Sequence, residues 1–227
     1  MLSRLLFLLS LTLLAGCATH APMSETILFH DPGHTHPSHK ASSTFGFTST
    51  HALCSTRFIR KELNRGRPKD ADPREIQNAC GVAGGIYLSS YKGGTGYSAT
   101  IGLGELGADV SKKLWGRNYL TASASAFGGW QVILHHRTFN SPHVGAAFGM
   151  ALRQDRQYYF VREHTDAFDF SFDPGDAVLI NSIGMRAVGI YRSKPSNSGD
   201  WYAGLYIGYA PLYRRPIISL GVSFGWF

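Results

Sequence analysis

The sequence predicts an all-β chain: an antiparallel up-and-down β-barrel of about eight strands, reading as transmembrane, preceded by a short disulfide-clipped helical hairpin. Three observations predict it. First, the C-terminal stretch alternates with a period of two. Trp201, Ala203, Leu205, Ile207 and Tyr209 alternate with Tyr202, Gly204, Tyr206, Gly208 and Ala210, and Ile218, Leu220, Val222, Phe224 and Trp226 alternate with Ser219, Gly221, Ser223 and Gly225. Second, the small face of these runs carries none of the Lys and Glu that coat the outer face of a water-soluble strand. Third, glycine is abundant (26 residues) and charged residues are scarce (16%), which suits a glycine- and aromatic-rich sheet.

The N-terminus is read first as an export signal. Met1–Arg4 carries one positive charge, and Leu5–Leu14 is an apolar run of ten residues, half of what a spanning helix of about 20 requires. Leu14-Ala15-Gly16-Cys17 follows at the end of that run. This tetrapeptide resembles the lipobox of bacterial lipoproteins. The resemblance implies diacylation of the Cys17 thiol, cleavage before it, and, with Ala18 rather than Asp next, sorting to the outer membrane of a Gram-negative cell. It covers the N-terminus alone and names no family for the remainder. Residues 1–16 are then a signal peptide and 17–50 a lipidated flexible tether, followed by a short helical segment over 51–80 and a barrel domain over 81–227.

The tether is rich in Ser, Thr, Pro and His and lacks periodicity. Its His30, Asp31, His34, His36 and His39 have the chemistry to bind Zn²⁺ or Cu²⁺, but no framework to fix their geometry is visible. A solvated linker is the expectation, and neither metal nor cofactor is assigned. In the helical segment, Ser55–Gly66 sets Phe58, Ile59 and Leu63 against Arg57, Arg60, Lys61 and Arg65. A second helix is signalled by Asp72 as N-cap, Pro73 after it and Glu75, running to about Ala79. With Cys17 acylated, Cys54 and Cys80 remain for a disulfide in an oxidising compartment.

The strands follow in order. Gly81–Tyr91 is the first, closed by the turn Lys92-Gly93-Gly94-Thr95. Gly96–Gly104 continues past Glu105 with a change of parity, read as a bulge. After the turn Trp115–Asn118, Leu120 to His135 alternates so evenly that one long strand is expected, kinked at Gly128-Gly129. Val144–Leu152 and a short Gln157–Arg162 come next, then the acidic, aromatic loop Glu163–Asp176. Ala177–Arg192, with Arg186 facing inward, and the two closing strands complete the count.

Which face is inward decides the environment. A lipocalin-like barrel would turn its large apolar face inward and needs a charged exterior; here the charges cluster in turns instead. A membrane barrel of this composition has an unusually small inner face, so something must fill it: Tyr87, Tyr202, Tyr206, Phe127, Arg186, water or an acyl chain. The end of the chain departs from the usual outer-membrane pattern, because Trp226 rather than the terminal Phe227 shares the apolar phase.

For chemistry, no G-x-S-x-G elbow and no phosphate-binding glycine loop followed by Lys is present. The close His–Ser pair, His36 and Ser38, falls in the tether. His135, His136, His143 and His164 lie near strand ends with Ser141, Glu163 and Asp166 in sequence reach, which keeps a membrane-embedded lipid-modifying acyl-transfer or deacylase enzyme, with His135 or His143 as base, as one alternative beside a lipocalin-like lipid binder. The preferred reading is a non-enzymatic structural, surface or binding role, with no catalytic residue assigned. The formal charge of +7 suits outer-membrane lipid, lipopolysaccharide or an anionic glycan as partner, and export argues against nucleic acid. Glu163–Asp176, with Ca²⁺-compatible carboxylates in no EF-hand spacing, and the basic stretch Arg57–Lys69 are the candidate recognition features.

Overall fold

The computed structural model describes residues 23–30, 42–53, 75–76, 81–103, 105–126, 129–157, 161–162, 170–171, 178–192, 200–212 and 214–226. Its strands are β1 (Ser42–Leu53), β2 (Glu75–Ile76), β3 (Gly81–Lys92), β4 (Thr95–Leu103), β5 (Glu105–Lys113), β6 (Asn118–Ser125), β7 (Gly129–Asn140), β8 (Val144–Gln157), β9 (Val161–Arg162), β10 (Phe170–Ser171), β11 (Val178–Arg192), β12 (Asp200–Ala210) and β13 (Arg215–Trp226). Ten of them form a closed antiparallel barrel in the order β1-β13-β12-β11-β8-β7-β6-β5-β4-β3. The ring closes because β1 pairs with β13 on one side and β3 on the other. β2, β9 and β10 make a small separate sheet. A 3-10 turn, Met23–Thr26, leads into a one-turn helix, α1 (Ile27–His30).

The all-β, up-and-down architecture is therefore as expected, with ten barrel strands among the described residues where about eight were expected. Two of the differences follow from hairpin arithmetic. Antiparallel partners face the same side of a sheet. Gly102 pairs with Glu105, so the chain folds back across two residues and the outward parity changes from odd (Tyr97, Ile101) to even (Leu106, Val110). What reads in sequence as a bulge is a hairpin. Ser125 pairs with Gly129, so three residues lie between the partners and parity is conserved: Leu120 and Ala124 face outward, as do Trp130, Val132 and Leu134. The expected long strand is two strands whose turn leaves the alternation intact, and Gly129 adopts φ 104° there.

The third difference is β1, which lies in what reads as tether. Its Phe45-Gly46-Phe47 alternation is brief and set among Ser and Thr, yet it occupies the register Phe45↔Trp226 and Phe47↔Phe224 that closes the barrel. The tether assignment is thus corrected at 23–30 and 42–50, and the helical segment at 51–53. The expected strand Gln157–Arg162 divides between the end of β8 and β9, which lies outside the barrel. The second predicted helix is corrected at Glu75–Ile76, which pairs as a strand with Val161–Arg162. A local cap signal on a helix of two turns is weak against tertiary pairing. Cys17, Cys54 and Cys80 fall outside the described residues, as do the expected helix Ser55–Gly66, the tether residues Asp31, His34, His36 and His39, and most of Glu163–Asp176.

The wall alternates as the sequence demands. Leu205, Ile207 and Tyr209 of β12 are exposed, while Tyr202, Tyr206 and Ala210 are buried. The same holds round the ring: Leu88, Ile101, Leu134, Met150, Leu152, Met185 and Leu220 face out, whereas Ser89, Thr100, Ser111, Gln131, His135, Arg153, Arg186 and Ser219 face in. The large apolar face is the outer one, the reverse of the lipocalin-like arrangement. Exposed aromatics gather toward the two rims, with Tyr97, Phe139, Tyr191 and Trp201 at one and Trp130 and Tyr209 at the other. Four hairpins (β3–β4, β5–β6, β7–β8 and β11–β12), the start of β1 and the end of β13 share the first of these rims, called here the near rim.

Candidate functional site: a polar lumen occupied by residues 23–30

A ring of ten strands with a small inner face encloses space that side chains of the wall alone do not fill. Ser24 to Phe29 fills it from the near-rim side, all six residues being buried. At its centre Glu25 has no exposed surface. Arg186 Nε donates to Glu25 Oε1 and Oε2 at 2.8 and 2.9 Å, and Nη2 donates to Oε2 at 2.8 Å. His135 Nε2–H donates to Oε1 at 2.8 Å, and the Tyr202 hydroxyl donates to Oε2. A buried carboxylate is tolerated only when its charge is matched and its lone pairs are met; a bidentate guanidinium with two further donors meets both conditions. β7, β11 and β12 each contribute one of these partners.

The remaining contacts fix the segment end to end. Ser24 N–H donates to Asp109 Oδ1 at 2.6 Å, and its hydroxyl meets Ser111 Oγ at 2.8 Å. The Thr26 hydroxyl bonds the Tyr91 hydroxyl. Arg137 Nη1 donates to the Leu28 carbonyl at 2.8 Å, while Arg192 Nη2 and Asn140 Nδ2 donate to the Phe29 carbonyl at 2.6 and 3.1 Å. Carbonyls in the last turn of a helix call for outside donors, and these donors of the wall cap α1. Ile27, Leu28 and Phe29 pack among Tyr87, Tyr91, Tyr119, Val188, Ile190 and Tyr202.

Glycines of the inner face give the segment its room. A Cβ on Gly145 would run into the Phe29 ring, and one on Gly96 would lie 2.9 Å from the Ser24 carbonyl oxygen. A Cβ on Gly204 would lie 2.7 Å from Arg186 Nη2, and one on Gly149 would lie 2.9 Å from His135 Nδ1. The small inner face is thus a mould for residues 24–29 and for Arg186 and His135, two of the three side chains that hold Glu25.

Toward the far rim the wall fills itself. Arg153 Nε donates to Asp155 Oδ1 at 2.8 Å, and its guanidinium lies 4.9 Å from the centroid of the Tyr206 ring. Tyr206 in turn shares a 2.8 Å hydrogen bond with Ser182. Ile133, Ala151, Ile180, Tyr206, Ala210 and Ile217 complete this layer. Of the fillers expected from sequence, Tyr87, Tyr202, Tyr206 and Arg186 are in place, and Phe127 lies outside the described residues.

Among the described residues the candidate histidines are not brought together. His135 is in the lumen with Nε2 on Glu25; His136, on the exposed side of β7, bonds Asn118 Oδ1 through Nδ1 at 3.0 Å. His143 is exposed in the β7–β8 turn, where the Ser141 hydroxyl donates to the Val144 carbonyl at 2.8 Å and accepts from its N–H at 3.0 Å. Ser141 is thus occupied in closing that turn. His164, Glu163 and Asp166 lie outside the described residues. Among the described residues no group of three or more His, Cys, Asp or Glu is placed to hold a metal ion, and no helix is long and apolar enough to cross a membrane, which says nothing of strands.

Sequence reasoning missed Glu25, although the signal was present: Ile27-Leu28-Phe29 is an apolar triplet in an otherwise polar leader, beginning two residues after an acid. Compared with protein-family models, curated proteins and solved structures, the chain has no significant match in any of the three.

Proposed function

We propose that the chain is an outer-membrane lipoprotein, acylated at Cys17, whose β-barrel spans the bilayer and serves a non-enzymatic structural or binding role at that surface. The observation that carries the reading is the inverted barrel: among the described residues, apolar side chains face outward on the barrel strands, aromatics gather at both rims, and buried charge lies in the lumen. Spanning strands need about 9–11 residues, and β7, β11, β12 and β13 have 12, 15, 11 and 12. Exposed Lys92, Lys112 and Arg117 at the near rim suit the anionic head groups of lipid or lipopolysaccharide. A non-enzymatic role is favoured because the acid and the imidazole of the lumen are already joined to each other and covered.

Two measurements test it. Unheated protein should migrate differently from heated protein on a detergent gel, and palmitate labelling should be lost in Cys17→Ser. Solubility without detergent, or equal labelling of both proteins, would overturn the reading. A change in membrane acyl chains on deletion, restored by the wild type but not by His135→Ala or His143→Ala, would favour the lipid-modifying enzyme instead.

A further inference from the structure

The groups that hold residues 23–30 are anchored within the wall. Asp109 accepts from Ser98 Oγ as well as from Ser24 N–H. Ser111 is held by Thr121 at 2.6 Å. Arg192 donates to the Ser141 carbonyl at 2.6 Å and to Asn140 Oδ1 at 2.8 Å before it reaches Phe29. The segment, by contrast, is four residues of 3-10 turn and four of α-helix, far below the roughly 12–15 residues at which a helix holds its own shape in water. Wall groups that hold one another around a segment this short are arranged as a receptor is around a ligand. The wall also states what the ligand must be. Arg186, His135 and Tyr202 require a carboxylate, the apolar cluster requires bulky side chains two to four residues later, and Arg137 and Arg192 require free carbonyls at the end.

We infer that the near-rim half of the lumen is a peptide-binding site, occupied in cis by residues 23–30, that accepts an acidic–apolar peptide of the same pattern in trans when the cis segment is weakened. Arg186 makes this an exchange and not a simple opening. With the segment gone its guanidinium would lose the bidentate carboxylate it holds, so the vacated site favours another carboxylate in that place. The site stands on the lumen and is independent of what the outer face meets.

The test uses the full chain carrying Glu25→Ala and Phe29→Ala, and a fluorescent synthetic peptide of residues 23–30. Saturable binding to this variant, absent from wild type and weakened on the order of a hundredfold by a further Arg186→Gln, is expected. A peptide with Ala in place of its Glu should bind with a similar loss. No binding to a variant that retains heat-modifiable migration would overturn the proposal, and so would binding indifferent to Arg186. Should the variant fail to fold, a full wild-type chain with a protease site inserted between His36 and Pro37 replaces it. After folding and cleavage, exchange of the bound segment for labelled peptide is expected, and failure to exchange overturns the proposal.

Discussion

Glu25 and Arg186 are 161 positions apart and share three hydrogen bonds at 2.8–2.9 Å inside the barrel, with no exposed surface on the carboxylate side chain. This pair joins the N-terminal segment to the strand that faces it, and it sets a steep cost on separating them. Glu25→Ala leaves the guanidinium of Arg186 buried and unmatched, so a loss of about 3–5 kcal/mol is expected. Arg186→Leu added to Glu25→Ala should recover part of it, because two absent charges cost less than one left alone. Urea or heat denaturation followed by gel migration checks both, and a double variant less stable than Glu25→Ala would contradict the assignment.

The mould gives a second prediction. Gly145→Val places a side chain where the Phe29 ring lies, and overpacking of this kind costs typically about 1–3 kcal/mol. Phe29→Ala vacates that space, so Gly145→Val should be better tolerated in the Phe29→Ala background than in the wild type. Equal losses in both backgrounds would mean that the segment does not rest on Gly145. The thermal midpoint of the gel shift is the measurement.

The outer face gives a third. Leu205, Leu134 and Met150 are exposed at mid-height of the barrel. An arginine at such a position should destabilise the bilayer-inserted protein by about 2–4 kcal/mol, falling to about 0–1 for Trp201→Arg near the rim. A water-soluble barrel would show no such dependence on height. Refolding equilibria in vesicles distinguish the two.

The barrel and its two faces are legible in the sequence because a period of two is a local pattern, and Trp201 to Ala210 displays it without interruption. The strand number is not, since the pattern survives the reversal between the paired Ser125 and Gly129 and only changes phase across the pair Gly102↔Glu105. β1 is concealed because Phe45 and Phe47 are its sole large aromatic pair among Ser and Thr, and its pairing with β13 spans nearly the whole chain. The lumen is legible as a deficit: an inner face of Gly and Ser must be filled, and the phase of its strand turns Arg186 inward. That Glu25 and Phe29 fill it depends on contacts more than a hundred residues apart, which no periodicity records.

The most direct test of the whole account is photo-crosslinking from neighbouring positions of β12 in membranes, with a benzoylphenylalanine in place of Tyr202 in one protein and of Leu205 in another. An inward Tyr202 beside Glu25 and an outward Leu205 in the apolar belt predict two different adducts. The probe at 202 should capture a peptide from residues 23–30, and the probe at 205 should capture lipid. Lipid captured from 202, or capture of protein rather than lipid from 205, would contradict a lipid-facing barrel filled by its own N-terminal segment.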